Sequence, residues 1–187
     1  MLTVADICAD IQASGKPVPF MLIDCAGLSG GAAQLPRQAF TKLECLFTGD
    51  SAVELVDVGP YLGQLRDPTP AVVEVAEDLL FNQVAVMVVL KKDGLPIGDA
   101  QRFAQMYRHF RKFNVVQGPD GESLFFRYAD SRVLIDVLAV LDNQQLEEFF
   151  GDIDLLVISK PNTRLLELFG RGKGGLARRT LINGLRA

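Results

Sequence analysis

The sequence has few of the residue types on which metal and redox sites depend. It contains a single histidine, His109, and three cysteines, Cys8, Cys25 and Cys45. The cysteines are widely spaced and form no C-x-x-C pair, whereas a structural zinc site needs four nitrogen or sulfur ligands. We therefore predict no metal or other cofactor, and we expect the thiols to be buried and to behave as small apolar side chains.

The sequence also lacks a long apolar run. The longest, residues 84–90, has the length of a strand and falls far short of the roughly 20 residues that span a bilayer. The first residues include Asp6 and Asp10 and lack the basic-then-apolar pattern of a secretory signal. Hydrophobic residues make up 49% of the chain and charged residues 22%, which is the balance of a folded domain. We therefore expect a cytoplasmic protein that has no membrane partner.

Charge is distributed unevenly along the chain. From Lys160 onward there are seven basic residues and one acidic residue, Glu167, so the net charge of −4 divides into +6 for this segment and −10 for residues 1–159. The basic segment is predicted either to bind something, its own domain included, or to be a solvated terminus. Nucleic acid is not an expected partner, because the segment has few aromatics and the acidic body would repel phosphates.

Apolar runs and turn residues predict the strands. Continuous apolar runs predict strands buried on both faces at residues 20–23 and 84–90. Further strands are predicted at residues 53–58, where apolar and acidic residues alternate, and at residues 153–158. Gly118-Pro-Asp-Gly121 predicts a β-hairpin between residues 115–117 and 123–128, and another turn is predicted at residues 92–94.

Capping residues and apolar periodicity predict the helices. Helices are expected at residues 3–13 and 34–44, and after the N-caps Thr69, Asp99, Asp130 and Asp142. The helix after Asp99 places Phe103, Met106 and Phe110 on its buried face and His109 on its polar side. The helix after Asp142 ends at Gly151.

Strands that alternate with helices, together with one hairpin, predict an α/β fold with a mixed β-sheet and helices packed on it. After Pro161, the spacing of Leu165, Leu166, Leu168 and Phe169 predicts an amphipathic helical segment. We therefore divide the chain into an α/β domain, residues 1–159, and a basic amphipathic C-terminal segment, residues 160–187.

Residues 27–31 (GLSGG) match the G-x-S-x-G pattern in which α/β-hydrolases present a nucleophilic serine, here Ser29. Three residues separate this pattern from the preceding apolar run, and too little chain precedes it to supply the earlier strands of that fold. The single histidine lies on the polar side of its helix, whereas a catalytic triad needs it beside the serine. We interpret the pattern as a glycine turn, and a serine hydrolase is the alternative function.

Two other patterns lack the spacing that chemistry requires. Residues 170–175 (GRGKGG) lack the G-x-x-x-x-G-K-[ST] spacing of a phosphate-binding loop. Glu147 and Glu148 are adjacent on a predicted helix and point in different directions, so they do not form an acid–base pair. No catalytic residue is predicted.

Residues 124–134 (LFFRYADSRVL) predict a strand that turns directly into a helix. The strand delivers Arg127 and Tyr128 to opposite faces, and Asp130 caps the helix. Arg132, in the first turn, is within reach of Asp130 or a neighbouring carbonyl. This segment either fixes how the strand and helix join, or its two arginines contact a partner.

In this segment the chain resembles the adaptor chaperones of bacterial type VI secretion, often named Tap or TEC proteins. The resemblance extends in serial order over about residues 20–158, through residues 21–26 (MLIDCA), 45–49 (CLFTG), 59–62 (GPYL) and 141–151 (LDNQQLEEFFG). Ala129 stands where that family has an aromatic residue, and Ser131 where it favours proline. The residues after Pro161 match nothing in the family pattern.

The resemblance implies a non-catalytic protein that binds one toxic effector in the cytoplasm and helps to load it onto the spike-tip protein VgrG. It assigns a motif, which we interpret as structural in role, to Asp24, Arg127, Tyr128, Asp130 and Arg132. An adaptor needs a surface that its partner covers. We expect that surface in the C-terminal segment, at Leu165, Leu168, Phe169, Arg178 and Arg179, unless this segment packs back on the domain.

Overall fold

A seven-stranded antiparallel sheet forms the centre of the protein. The structure, a computed structural model, describes residues 3–92, 98–118, 120–172 and 174–180. The nine strands are β1 (Phe20–Asp24), β2 (Phe40–Cys45), β3 (Pro60–Leu65), β4 (Ala85–Leu90), β5 (Val115–Gln117), β6 (Ser123–Phe125), β7 (Ile153–Ser159), β8 (Leu166–Gly172) and β9 (Gly175–Thr180). The central sheet has the order β2-β3-β1-β4-β7-β8-β9, and β5 and β6 pair separately as a two-stranded ribbon.

Helices cover the central sheet on both faces. The six helices are α1 (Val4–Ala13), α2 (Asp50–Leu55), α3 (Pro70–Phe81), α4 (Asp99–Arg111), α5 (Ser131–Leu138) and α6 (Asn143–Phe150). Met21 and Ile23 of β1 belong to the core shared with α1 and α3. Phe20 and Leu22 belong to the core shared with α4, α5 and α6. Since side chains alternate along a strand, a strand between two layers must be apolar at consecutive positions. The predicted two-sided burial of residues 20–23 and 84–90 is confirmed.

The predicted α/β class is confirmed, but the sheet is antiparallel at every pairing of the described residues and not mixed. A continuous apolar run reports burial on two faces and carries no information on strand direction. Most helix starts are also confirmed. The Thr69 hydroxyl accepts from the Val72 N–H, and Asp142 forms a capping box with Gln145. The N-cap of α4 is Gly98, one residue before the predicted Asp99.

Two predictions between β1 and β3 are wrong. Residues 34–44 were expected to be helical, but they contain short 3₁₀ turns followed by β2, which pairs with β3. Pro36 stands inside the expected helix and disfavours it. Residues 53–58 were expected to form a strand, but they comprise the end of α2 and a turn. Both edges of β3 are already occupied by β1 and β2, so a strand at residues 53–58 has no place beside it.

The predicted C-terminal helix is also wrong, because β8 and β9 form a hairpin that extends the central sheet. Ser159 of β7 pairs with Leu166, so a boundary at residues 159 and 160 separates two neighbouring strands. Leu166 lies in one core and Phe169 in the other. Their separation of three residues in the sequence also fits the spacing of apolar residues on one face of a helix. A Cβ at Gly170 would lie 3.0 Å from the Asp154 carbonyl oxygen, so the strands approach closely there.

Parts of other predictions lie outside the described residues. These are residues 93 and 94 of the predicted turn, Pro119 of the hairpin, and Lys173 and Arg186 of the basic segment. The hairpin is confirmed where Val115, Val116 and Gln117 pair with Phe125, Leu124 and Ser123. Its second strand ends at Phe125, so residues 126–128, which were predicted to continue it into the helix, are not part of a strand.

We predict that Phe169→Ala lowers the free energy of unfolding by about 4 kcal/mol, because it removes a fully buried aromatic side chain and leaves a cavity. Phe169 is 1% exposed and lies in the core of α4, α5 and α6. Urea unfolding followed by circular dichroism measures the change. Val53→Ala is the control, since Val53 is 80% exposed, and it should change stability by less than about 0.5 kcal/mol. Equal effects of the two substitutions would contradict the assignment of residues 166–172 to the sheet.

Candidate functional site

Four charged side chains meet where the ribbon leads into α5. An Arg127 guanidinium nitrogen donates to Asp24 at 2.6 Å and lies 3.4 Å from Asp130. Arg132 donates to the same Asp130 carboxylate through Nε at 2.9 Å and Nη2 at 2.8 Å. The structure therefore joins Asp24, at the end of β1, to the first turn of α5 through Arg127. We refer to these four residues as the ion cluster.

The carboxylates of the ion cluster are buried and the guanidinium groups reach the surface. The side chains of Asp24 and Asp130 are 7% and 3% exposed, whereas those of Arg127 and Arg132 are 49% and 58% exposed. Burial alone would raise the pKa of Asp130, but the hydrogen bonds and positive charge of Arg132, with the charge of Arg127, lower it below its usual value. Two buried charges thus hold two arginines in fixed, half-exposed positions.

Tyr128 points into the core whereas Arg127 reaches the surface, although, contrary to the prediction, neither residue lies in a strand. It is fully buried and stacks on Phe110, with ring centroids 5.9 Å apart. Its hydroxyl donates to the Asn114 side chain at 2.7 Å, and the Asn114 amide donates to the Leu46 carbonyl at 2.8 Å. Burial raises the pKa of Tyr128. This residue therefore connects the ribbon to the end of β2 and acts as a structural anchor.

The partner-binding residues predicted near the C-terminus do not share one surface. Phe169 is buried, and Leu165 and Leu168 are half-buried. Phe169 pairs with Arg178 and Leu168 with Arg179, so these pairs lie on opposite faces of the hairpin. Arg178 donates to both oxygens of the buried Glu167 at 2.8 Å. Arg179 is exposed, and among the described residues its side chain forms no hydrogen bond or ion pair. The predicted amphipathic face is therefore not formed.

Ser29 and His109 lie at opposite ends of the sheet. Ser29 follows β1, whose last pairing with β4 is Ile23 to Ala85. The His109 ring lies against Gly151, just before β7, whose pairing with β4 begins at Leu90. Five residues of β4 separate these ends, which corresponds to roughly 17 Å. The His109 Nε2–H instead donates to the Phe149 carbonyl at 2.8 Å, so this serine and this histidine do not form the pair that a triad requires.

The ribbon exposes apolar side chains on both of its faces. Val115 and Phe125 are directly paired on one face, and Val116 and Leu124 on the other. These four side chains are between 37% and 58% exposed. An apolar pair on each face differs from the alternation of a strand with one solvated face. The sequence carries this signal, two adjacent apolar residues on each side of the predicted turn, but the prediction of binding residues did not use it.

A groove of about 400 Å³ lies beside the second face of the ribbon. Its apolar lining comes from Phe113, Val116, Phe126, Val137, Leu141 and Phe149. The polar side chains that line it are Lys112, Gln145 and Glu148. The ribbon and this groove together form an apolar surface that the sequence prediction missed.

The described residues contain no group of three or more histidine, cysteine or acidic side chains placed to hold a metal ion. The three cysteines are free thiols, and Cys8 and Cys25 are buried. Burial raises the pKa of Cys25 to about 12, so this thiol stays protonated at neutral pH. Within the same described part of the chain, no helix has the length and apolar character needed to cross a membrane.

Comparison with known proteins gives one match. A family model described as a domain of unknown function (DUF4123) matches residues 19–148. These residues run from the start of β1 to near the end of α6 and include the ion cluster, the ribbon and every residue that lines the groove except Phe149. No curated protein and no solved structure matches the chain.

We predict that Asp130→Asn lowers the free energy of unfolding at pH 7 by about 2 kcal/mol. Asparagine still caps a helix, so the loss comes from the charge-assisted hydrogen bonds to Arg132 and the attraction of Arg127. Asp136→Asn on the exposed side of α5 is the control and should change stability by less than about 0.5 kcal/mol. Urea unfolding of the two variants at pH 7 makes the comparison. Equal losses of unfolding free energy in the two variants would show that the charge of Asp130 in the ion cluster does not stabilise the fold.

The same variant should change how stability depends on pH. Because the folded-state pKa of Asp130 lies below its unfolded-state value, its contribution is complete above the unfolded value of about 3.9 and is lost as pH falls through the folded value. Between about pH 5 and about pH 2, we expect the unfolding free energy of the wild type to fall more steeply than that of Asp130→Asn. Parallel pH profiles would contradict the lowered pKa.

Proposed function

Since the chain belongs to the DUF4123 family over residues 19–148, and since nearly the same residues resemble type VI secretion adaptor chaperones, we propose that it is a non-catalytic adaptor chaperone. It binds one secreted toxin in the cytoplasm and promotes the loading of that toxin onto the VgrG spike tip. Its partners are proteins, and it acts by stoichiometric association.

The observation that carries this proposal is the ribbon with both faces apolar. Two-stranded ribbons are marginal on their own and depend on packing of at least one face. Here Phe125 contacts Phe47 at 5.5 Å between ring centroids, yet it remains 58% exposed. An exposed apolar surface of this kind favours a protein that is covered by a partner during part of its working life.

The ion cluster supports the same proposal. Arg127 and Arg132 are half-exposed and held by buried carboxylates, so little side-chain entropy is lost when a partner's acidic or carbonyl group binds them. Arginine is also one of the residues enriched at protein interfaces. The motif that carries the resemblance is thus both a structural junction and a surface that is ordered in advance for a protein contact.

The C-terminal hairpin has a reduced role in this proposal. Phe169 belongs to the core, and Arg178 is bound to Glu167. Arg179 and the partly exposed Leu165 stay as proposed contacts with a partner. Removing residues 160–187 would uncover β7, so deletion of this segment does not separate binding from folding.

The proposal is tested by deleting the gene in the organism of origin and measuring secreted proteins by quantitative mass spectrometry. We expect one toxin to fall by at least about tenfold outside the cells, while other secreted proteins are unchanged. The tagged chain should co-purify that toxin from lysate, together with VgrG. A deletion strain that secretes every toxin normally would sink the proposal.

Variants of the ribbon face that carries Val115 and Phe125 connect the proposed function to the structure. The double substitution Val115→Ser and Phe125→Ser should reduce co-purified toxin by about tenfold or more, because it removes exposed apolar contacts. Val53→Ser is the matched control, since it removes an exposed valine on α2. Circular dichroism melts show whether each variant is folded. Equal recovery of toxin by both variants would remove the ribbon from the binding surface.

A further inference from the structure

Three residues that line the groove have backbone N–H groups that are already hydrogen-bonded. The Phe113 N–H donates to the Phe110 carbonyl at 3.0 Å, and the Phe126 N–H donates to the Asn114 carbonyl at 3.1 Å. The Leu141 N–H donates to the Val137 carbonyl at 3.2 Å. A strand binds by adding to free backbone donors and acceptors, and these three donors are not free. They favour an occupant that satisfies its own backbone, as an α-helix does.

The apolar side chains of the groove come from the end of α4, the ribbon, α5 and α6, so several elements border it. Phe113 and Phe149 are in contact, with ring centroids 5.1 Å apart. Val137 and Leu141 are spaced four residues apart and lie on one side. Val140, next to Leu141, is 80% exposed. A helix that places apolar residues at positions i, i+3 or i+4, and i+7 fits such a groove.

Two charged side chains, Lys112 and Glu148, line the groove. They are the chain neighbours of Phe113 and Phe149, whose rings are in contact. Neither Lys112 nor Glu148 forms a salt bridge within the described residues. A complementary helix carries a carboxylate for Lys112 and a basic side chain for Glu148.

We propose that this groove binds an amphipathic α-helix of the secreted toxin, with an apolar stripe against Phe113, Val137 and Leu141 and an acidic side chain beside Lys112. The inference rests on the proposed adaptor function and adds to it the secondary structure and charge pattern of the segment that is bound. The toxin is held through one helix, so the rest of it need not touch the adaptor.

The test uses the toxin that co-purifies with the full-length chain, first intact and then as overlapping synthetic 20-residue peptides. Fluorescence anisotropy measures the dissociation constants. Leu141→Ser should weaken binding of intact toxin and of one peptide by about tenfold or more. Lys112→Glu should weaken both by about threefold, and replacing one acidic residue of the peptide by lysine should restore binding to this variant.

The matched control is Arg108→Glu, which makes the same charge reversal on the exposed side of α4 at a residue that does not line the groove. It should leave both dissociation constants within about twofold. Lys112 is exposed, so its variant reports on the groove even if Leu141→Ser does not fold. Circular dichroism of the bound peptide should show helix that the free peptide lacks.

Several results would overturn the inference without touching the proposed function. One is toxin that binds the Leu141 and Lys112 variants as tightly as it binds the wild type, and another is a bound peptide that is extended. A third is a wild-type dimer that the groove variants dissociate, because a second copy of this chain would then be the occupant. A chain that co-purifies no toxin would instead contradict the adaptor function itself.

Discussion

The burial of the central sheet on both faces is the constraint on which the rest of the structure depends. Because β1 and β4 have a helical layer on each side, β4 and residues 20–23 of β1 are apolar at every position, and all of β4 is buried. The two layers divide the helices between them, with α1 and α3 on one face and α4, α5 and α6 on the other. Strands β5 and β6 are outside this arrangement. They keep apolar residues without a layer to cover them, and this is why the ribbon is the surface on which we base the function.

The ion cluster solves the problem of joining the ribbon to the layered core. Asp24 ends the strand that lies beside β4, and Asp130 begins the helix that closes one layer. A buried carboxylate is costly unless it is paired and hydrogen-bonded, so each needs an arginine. Arg127 contacts both carboxylates and therefore fixes the distance between β1 and α5. The same pairing leaves the outer parts of two guanidinium groups at the surface, so the contacts that join these elements also hold two positive charges in exposed positions.

Local signals in the sequence predicted local structure well. The helix caps at Thr69, Asp130 and Asp142 were identified because a capping side chain acts on backbone groups only two or three residues away. The predictions failed where pairing partners decide the structure. Residues 166–172 have apolar residues at a spacing that suits a helix and also suits a strand covered on both faces, and only the position beside β7 distinguishes the two.

The candidate site follows the same division. The motif residues Asp24 and Arg127 are 103 positions apart, and the resemblance alone put them in one set before the structure showed their contact. The groove was not predicted, because its lining comes from four elements whose relative positions no local pattern encodes. The apolar ribbon was visible in the sequence at Val115 and Phe125, but solvent exposure cannot be read from residue type alone, because buried strands such as β4 are apolar as well.

The last described strand of the sheet, β9, has consequences for how copies of this protein behave at high concentration. A terminal strand offers backbone groups to which another sheet can join, and such joining leads to aggregation. Two adjacent arginines, Arg178 and Arg179, lie near the end of this strand and point to opposite faces. Because Arg178 is paired with Glu167, two copies meeting along β9 would each bring one uncompensated cation, Arg179, to the shared edge. Repulsion between these cations opposes growth of a continuous sheet from molecule to molecule.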